Sequence, residues 1–337
     1  MRHVRAYHGW TQAELASAVG VTQPAISQIE RGGPPSDETL AAIARATQFA
    51  PQFFERGPMP DLPRGSLRWR KSASARVRDD DRIRAHVRQT IELLAELESF
   101  AKGPPVRIVP LPADEAVGDD AIEEAANEAR DWLDVGPLDP IPNLTRAVER
   151  AGVAVIGSSQ EIEKHSGASY WPNFRSGRPI IVISRGSPGD RDRFSIGHEL
   201  GHLVLHTLLQ VEDGKVAESE AHRFAGALLI PKAAALDVIE TPVTLRQLAH
   251  VKARYGIAIS ALVRRCLDLR LIDEARRVSL EKQISARHWR KHEPVHVPNE
   301  QPRLVREFIA GVAGTIKPNA LHARFYLPPL AIRDLIA

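Results

Sequence analysis

The chain has 337 residues, 43% hydrophobic and 26% charged, an ordinary balance for a folded globular protein with room for two or three domains. A formal net charge of +3 and a pI near 9.1 are too mild to establish nucleic-acid binding, which must rest on motifs instead. The single cysteine, Cys266, excludes an intrachain disulfide framework and fits a reducing cytosol, and the absence of an apolar run of ~18 residues or of a signal-peptide core argues against membrane spanning and secretion.

Residues 1 to 57 have the spacing of an all-α helix-turn-helix bundle. Thr11-Gln12-Ala13-Glu14 opens a helix with a capping box, and Leu15, Ala16 and Val19 give that helix its buried face. Gly20 supplies the turn, Val21 anchors it, and Thr22 caps a second helix from Gln23 to about Arg31, with Pro24 tolerated in its first turn. Ile26 and Ile29 form the inner edge of the second helix, while Gln23, Ala25, Ser27 and Gln28 face outward; Glu30 and Arg31 suit helix-end contacts. This stretch resembles the Cro/repressor-type helix-turn-helix family in its Thr-Gln-x-x-Leu-Ala, Gly-Val and Ile-Ser-x-Ile-Glu-x-Gly pattern. The resemblance implies that Gln12, at a helix N-terminus, contacts phosphate, and that Gln23, Ser27 and Gln28 lie in the major groove of a double-stranded DNA operator. With Thr22 these form the candidate DNA-contact set. The alternative is a helical bundle that binds protein instead.

Gly57 to Pro63 is a proline-rich boundary. Arg64, Arg68, Arg70, Lys71, Arg76 and Arg78 follow around Trp69, a basic run that either adds phosphate contacts or forms a solvated face, since Asp79, Asp80 and Asp81 offset it. Ile83, Val87, Ile91, Leu94 and Leu97 predict one long helix from Asp81 to about Ala101, suited to connect the modules or to form a homodimer. Another amphipathic helix is expected from Asp119 to Leu133, then a rigid loop to Pro142, with Asn143 capping a helix through Ala151. Val153 to Ile156 and Pro179 to Ser184 read as strands, and a turn at Ser176-Gly177-Arg178-Pro179 sets off a further strand at Tyr170-Trp171. Such a sheet either supports the next helix or offers an edge to an extended peptide.

His198-Glu199-Leu200-Gly201-His202 is the most informative stretch. At ~100° per residue, His198 and His202 share one helix face and can bind one metal ion, while Glu199 sits beside it as a general base. Ser187 as N-cap and Pro188 at the first helical position predict where this helix starts. A hydrolytic zinc site takes three protein ligands and leaves a position for water. The third ligand is expected from a helix running from Glu218 to Pro231. Glu218 lies on the side carrying Ala221 and Ala225, whereas Glu220 is ~200° away, so Glu218 is the expected ligand and Glu220 the alternative. His206 and His222 read as surface residues or as partners of the ligands.

The two motifs together resemble the ImmA/IrrE metallopeptidases, whose HExxH helix is followed by Glu-x-x-Ala-(Asn/His)-x-Phe-Ala-x-x-Leu-Leu-x-Pro. The resemblance implies Zn2+ held by His198, His202 and Glu218, with Glu199 catalytic; His222 stands where the family more often has Asn. It also implies a protein substrate, a helix-turn-helix repressor, cut to release its genes. Tyr170 and His206 are the candidates to stabilise the oxyanion.

Thr244 to Arg254 and Ser260 to Arg270 read as two helices, with Leu245, Leu248, Val251, Leu262, Val263 and Leu267 packing on the metal domain. His288, His292 and His296 are dense, but Pro294 breaks the helix that would align them, so they read as surface residues. The expected fold is mainly α with a small β-sheet (α+β). Its expected parts are a helix-turn-helix domain over 1–57, a basic linker and long helix over 58–118, a zincin-like metallopeptidase domain over 119–272 and a helical C-terminal extension over 273–337. The expected function is a cytoplasmic, DNA-binding zinc metallopeptidase that cleaves a regulatory protein. The alternative is a transcriptional regulator or antitoxin-like protein whose metal domain senses or binds a partner without proteolysis.

Overall fold

The computed structural model describes residues 1–55, 57, 77–100, 102–112, 117–158, 167–172, 177–184, 186–208, 214–313 and 325–329. The proline-rich boundary at 58–63, the basic run from Arg64 to Arg76, the side chains of Arg78 and Ile83, and Ser176 of the expected turn lie outside the described residues. The architecture is mostly helical around one small three-stranded sheet, the α+β class.

Four helices build the N-terminal bundle: α1 (Arg2–Tyr7), α2 (Gln12–Val19), α3 (Gln23–Glu30) and α4 (Asp37–Thr47). The capping box forms as the sequence demands: the Thr11 hydroxyl accepts from Glu14 N at 3.1 Å, and the Glu14 carboxylate accepts from Thr11 N at 2.6 Å. Gly20 ends α2 with φ 75°, a conformation that costs an L side chain strain, so the turn between α2 and α3 requires glycine. Thr22 caps α3, and Leu15, Ala16, Ile26 and Ile43 close the core of the bundle.

The long helix α5 (Val77–Phe100) joins this bundle to the rest of the chain. Its apolar stripe (Ala85, Val87, Leu93, Leu94, Leu97) packs in one cluster with Val4 and Tyr7 of α1, with Phe49 and Phe53, and with one face of the sheet. The joint is also polar: His86 Nε2–H donates to the Tyr7 carbonyl at 3.1 Å. Within the chain the α5 stripe is therefore buried against the bundle and the sheet.

After α6 (Asp119–Trp132) and α7 (Leu144–Arg150) come β1 (Ala154–Ser158), β2 (Gly167–Tyr170) and β3 (Ile180–Ser184), in spatial order β1-β3-β2. β3 pairs parallel with β1 and antiparallel with β2, which leaves β2 at an edge. The expected Tyr170-Trp171 strand is corrected here. Tyr170 is its last residue, not its first, because Trp171 leaves the ladder and donates its indole N–H to the Gly177 carbonyl at 2.7 Å. Side chains alternate across a strand, so Val155, Ile181 and Ile183 enter the main core while Ala154, Ile156, Ala168, Ile180 and Val182 enter the α5 cluster. Both faces are buried, and the sheet is the wall between two cores.

Helices α8 (Gly189–Leu205) and α9 (Gly214–Leu229) pack along each other on the main-core side; α10 (Lys232–Val238), α11 (Leu245–Tyr255), α12 (Ile259–Asp268) and α13 (Glu274–Ala286) enclose them. The start of α8 is a second correction. Pro188 is the N-cap, without a side-chain cap bond, and Ser187 stands outside the helix with its carbonyl accepting from Asn299 Nδ2. The C-terminal stretch is fastened by reciprocal capping. Glu300 accepts from Leu144 N and Thr145 N at the start of α7 and pairs with Arg193, while Glu149 of α7 accepts from Arg303 N and Leu304 N at the start of α14 (Leu304–Ala313). Leu304, Val305, Phe308 and Ile309 of α14, with Phe325 and Leu327, thereby cover the sheet's outer face, a role their sequence did not announce.

Candidate metal centre

α8 is buried over almost its whole length, which is unusual for a helix carrying two histidines and a glutamate. Burial of such groups without partners is costly, so their contacts carry information. His198 Nε2 and His202 Nε2 lie 3.2 Å apart. Glu218, one turn into α9, brings Oε2 to 3.4 Å from His198 Nε2 and Oε1 to 3.3 Å from His202 Nε2. Three side chains thus form a triangle from two helices and bring four potential ligand atoms, two imidazole nitrogens and both oxygens of one carboxylate, toward one point. Ligands at ~2.0–2.1 Å around a tetrahedral zinc ion stand about 3.4 Å from each other, so the three pairwise separations have the size that such an ion requires. Glu218 Oε2 and His198 Nδ1 are buried with no hydrogen-bond partner, and a cation at the triangle's centre would satisfy the first of them.

The Glu218 carboxyl is pushed up by burial, but the two imidazoles outweigh this and hold it well below the usual carboxylate range. Glu199 behaves oppositely. Burial pushes its carboxyl up to about 8, opposed by the hydrogen bond from Ser169 and reinforced by the nearby Glu218 charge. Ser169 Oγ donates to Glu199 Oε2 at 2.8 Å from the edge strand β2. Two residues earlier on the same strand face, Gly167 leaves room for the base: a Cβ there would stand 3.0 Å from both Glu199 Cγ and Oε1. A carboxyl tuned near neutrality can both take and return a proton.

Behind the triangle lies a row that sequence reasoning only partly reached. His202 Nδ1 is 2.9 Å from His206 Nδ1, and His206 Nε2 is 2.8 Å from Glu220 Oε2. Glu220, the alternative third ligand, is thus bound behind His202 through His206, and Glu218 alone of the two reaches the triangle. His206 is not placed to stabilise an oxyanion, because its two ring nitrogens are taken by His202 and Glu220. Tyr170 packs on the opposite sheet face from Ser169, against the α5 cluster, and is likewise corrected as an oxyanion donor. The i,i+4 spacing of His202 and His206 was the available signal for the first link; the contact to Glu220 joins two helices and had none. His288, His292 and His296 are exposed, as expected.

In the N-terminal bundle the expected DNA-contact residues lie on α2, on α3 and at the cap between them. Gln23 and Gln28 are exposed and Ser27 half-buried, while Thr22 spends its hydroxyl on the cap, accepting from Ala25 N at 3.4 Å. Gln12 donates to Glu30 Oε2 at 2.8 Å and accepts from Gln23 Nε2 at 2.7 Å. Arg5 also grips Glu30, at 2.6 Å, which confirms Glu30 as an internal helix-end contact.

Comparison with protein families finds that residues 148–267 match the model described as the IrrE N-terminal-like domain, a metallopeptidase family, and that residues 1–54 match the model described as helix-turn-helix. No curated protein matches the chain. In that order the two matches give the chain an ImmA/IrrE-type architecture, a DNA-binding type of module followed by an IrrE-like domain.

Proposed function

We propose, from the ImmA/IrrE-type architecture, that this protein is a DNA-binding zinc metallopeptidase that cleaves a regulatory protein, a helix-turn-helix repressor, and so controls transcription. One observation carries the reading: ligand atoms of His198, His202 and Glu218 approach each other pairwise to 3.2–3.4 Å, with the buried Glu199 one residue along from the first of them. In this reading those three residues hold Zn2+, which when bound polarises a carbonyl and acidifies water. Glu199 takes the proton of the attacking water and returns it to the leaving amine. Ser169 keeps the Glu199 carboxylate oriented during both transfers, and the His206–Glu220 pair fixes the ring of His202. The outer edge of β2 pairs with no strand among the described residues, so it can add an extended substrate segment by main-chain hydrogen bonds beside Glu199.

The catalytic unit is proposed to span residues 119–272, with α14 covering the back of its sheet and residues 1–57 contacting operator DNA through Gln12, Thr22, Gln23, Ser27 and Gln28. No helix of the described residues is long and apolar enough to cross a membrane; a cytoplasmic location belongs to the proposal. Glu199→Gln tests it. The variant should bind zinc and DNA as the parent does, lose cleavage by roughly 10²–10⁴-fold, and trap the substrate for identification by mass spectrometry. A Glu199→Gln chain with an unaltered regulatory phenotype in the cell would instead favour the regulator or antitoxin-like reading.

A further inference from the structure

α8 and α9 each carry a pair of ligating side chains one turn apart, His198 with His202 and Glu218 with His222. The i,i+4 spacing sets both members of a pair on one helix face, and among the described residues α8 and α9 pack together more extensively than any other pair of elements. The centre described above uses three of the four. The His222 ring stands edge-on to His198, with centroids 4.5 Å apart and planes at 77°, and Phe194 lies 5.5 Å from it. Its Nδ1 is 2.8 Å from the Glu218 backbone carbonyl. A carbonyl only accepts, so Nδ1 carries the proton, and in the neutral ring the lone pair is on Nε2. Ligand atoms of His198, Glu218 and His222 all lie within 4.8 Å of one another. Against a tetrahedral edge of about 3.4 Å, the His222 nitrogen stands at most roughly 1.4 Å beyond ligand spacing from His198 and Glu218.

We infer that His222 is a fourth protein ligand to the metal held by His198, His202 and Glu218, and that it closes the centre in the resting protein. The inference rests on the proposal that this site binds a metal, but not on its being a peptidase. Three protein ligands leave a position for water, whereas four make a closed centre of the structural type. Closure by His222 keeps the metal bound without a water for Glu199 to deprotonate. Opening moves one half-buried side chain whose Nδ1 contacts its own helix. The chain is thereby latent until substrate, or another ligand for the metal, displaces the His222 nitrogen.

The test uses the full chain loaded with Co2+, whose visible spectrum reports ligand number and type. Wild type should give the absorption of a four-coordinate centre and be insensitive to millimolar azide, because no exchangeable position is open. His222→Asn and His222→Ala should alter the spectrum, weaken Co2+ binding by roughly tenfold or more and become sensitive to azide. Equal melting temperatures of the metal-free chains establish that the variants fold. Unchanged spectrum and affinity in both folded variants would overturn the inference, and so would a wild-type spectrum that shifts with azide, which requires no variant. A wild type that shows the closed centre, together with a His222→Ala chain that is open to azide but still cleaves nothing, sinks the peptidase reading while supporting this one.

Discussion

Replacing His206 by leucine removes the acceptor behind His202 while keeping a buried site filled. The His206 side chain is 0% exposed. One proton arrangement satisfies both of its contacts: Glu220 accepts from His206 Nε2–H, His206 Nδ1 accepts from His202 Nδ1–H, and His202 Nε2 keeps its lone pair for the metal. In the leucine variant His202 Nδ1–H is buried without that acceptor, at a cost of ~1–3 kcal/mol, which the ring escapes by moving its proton to Nε2 and losing its ligand lone pair. Removing partners of metal-bound histidines costs about 10–100-fold in affinity, or ~1.4–2.7 kcal/mol, so the two routes agree. The assay is zinc competition between the purified full-length chain and a chromophoric chelator, with the melting temperature of the metal-free chain as control. Glu220→Gln keeps an uncharged acceptor and should lose less than His206→Leu. A folded His206→Leu chain that binds zinc as tightly as wild type, or a Glu220→Gln chain that binds it more weakly than His206→Leu, would refute the reasoning.

Gly167→Ala places a Cβ 3.0 Å from the Glu199 side chain and 3.2 Å from the Val182 carbonyl. Displacing the base should lower kcat by roughly 10–100-fold with zinc affinity intact, so weakened zinc binding would point to general misfolding. Asp192 gives a pH signature: burial pushes its carboxyl up to about 6, opposed by the bond from Asn299 and raised further by Asp190 and Glu300. The folded chain therefore holds this proton more tightly than the unfolded one between about pH 3.8 and about 6. Up to ~3 kcal/mol of stability, present below that window, is lost as pH rises through about 6. Urea unfolding of Asp192→Asn at pH 4 and pH 7 should show a smaller fall than wild type, and equal falls would remove Asp192 as its source. In the N-terminal module, Gln23→Ala and Gln28→Ala should each weaken binding to a selected operator by ~1–3 kcal/mol. An equal loss on unrelated DNA, measured by fluorescence anisotropy, would show that they do not read bases.

Features that depend on neighbours in sequence were legible before any coordinates. The capping box of Thr11 and Glu14, the αL turn at Gly20 and the helix carrying His198 and His202 all follow from residues within a turn or two of each other. The long helix was legible too, from its apolar period, but its partners were not. Leu94 and Leu97 meet Tyr7, Phe49 and the back of the sheet because distant segments converge there. The misplaced strand at Tyr170 had the same cause: strand ends are set by the ladder with β3, which periodicity over four residues cannot supply.

The sequence by itself determined that two histidines and a carboxylate share a helix face and that Glu218 and Glu220 point to different sides of the next helix, since both follow from ~100° per residue. Which of those sides faces His198 and His202 was decided only by the packing of α8 on α9, which brings Glu218 to 3.3–3.4 Å and ties Glu220 to His206 instead. Tertiary structure likewise decided that Ser169 and Gly167, thirty residues or so before the base, frame its carboxylate, and that His222 stands beside the three-ligand triangle. Helical phase is a local property, whereas a metal centre is a coincidence of faces, and faces meet only when the chain has folded.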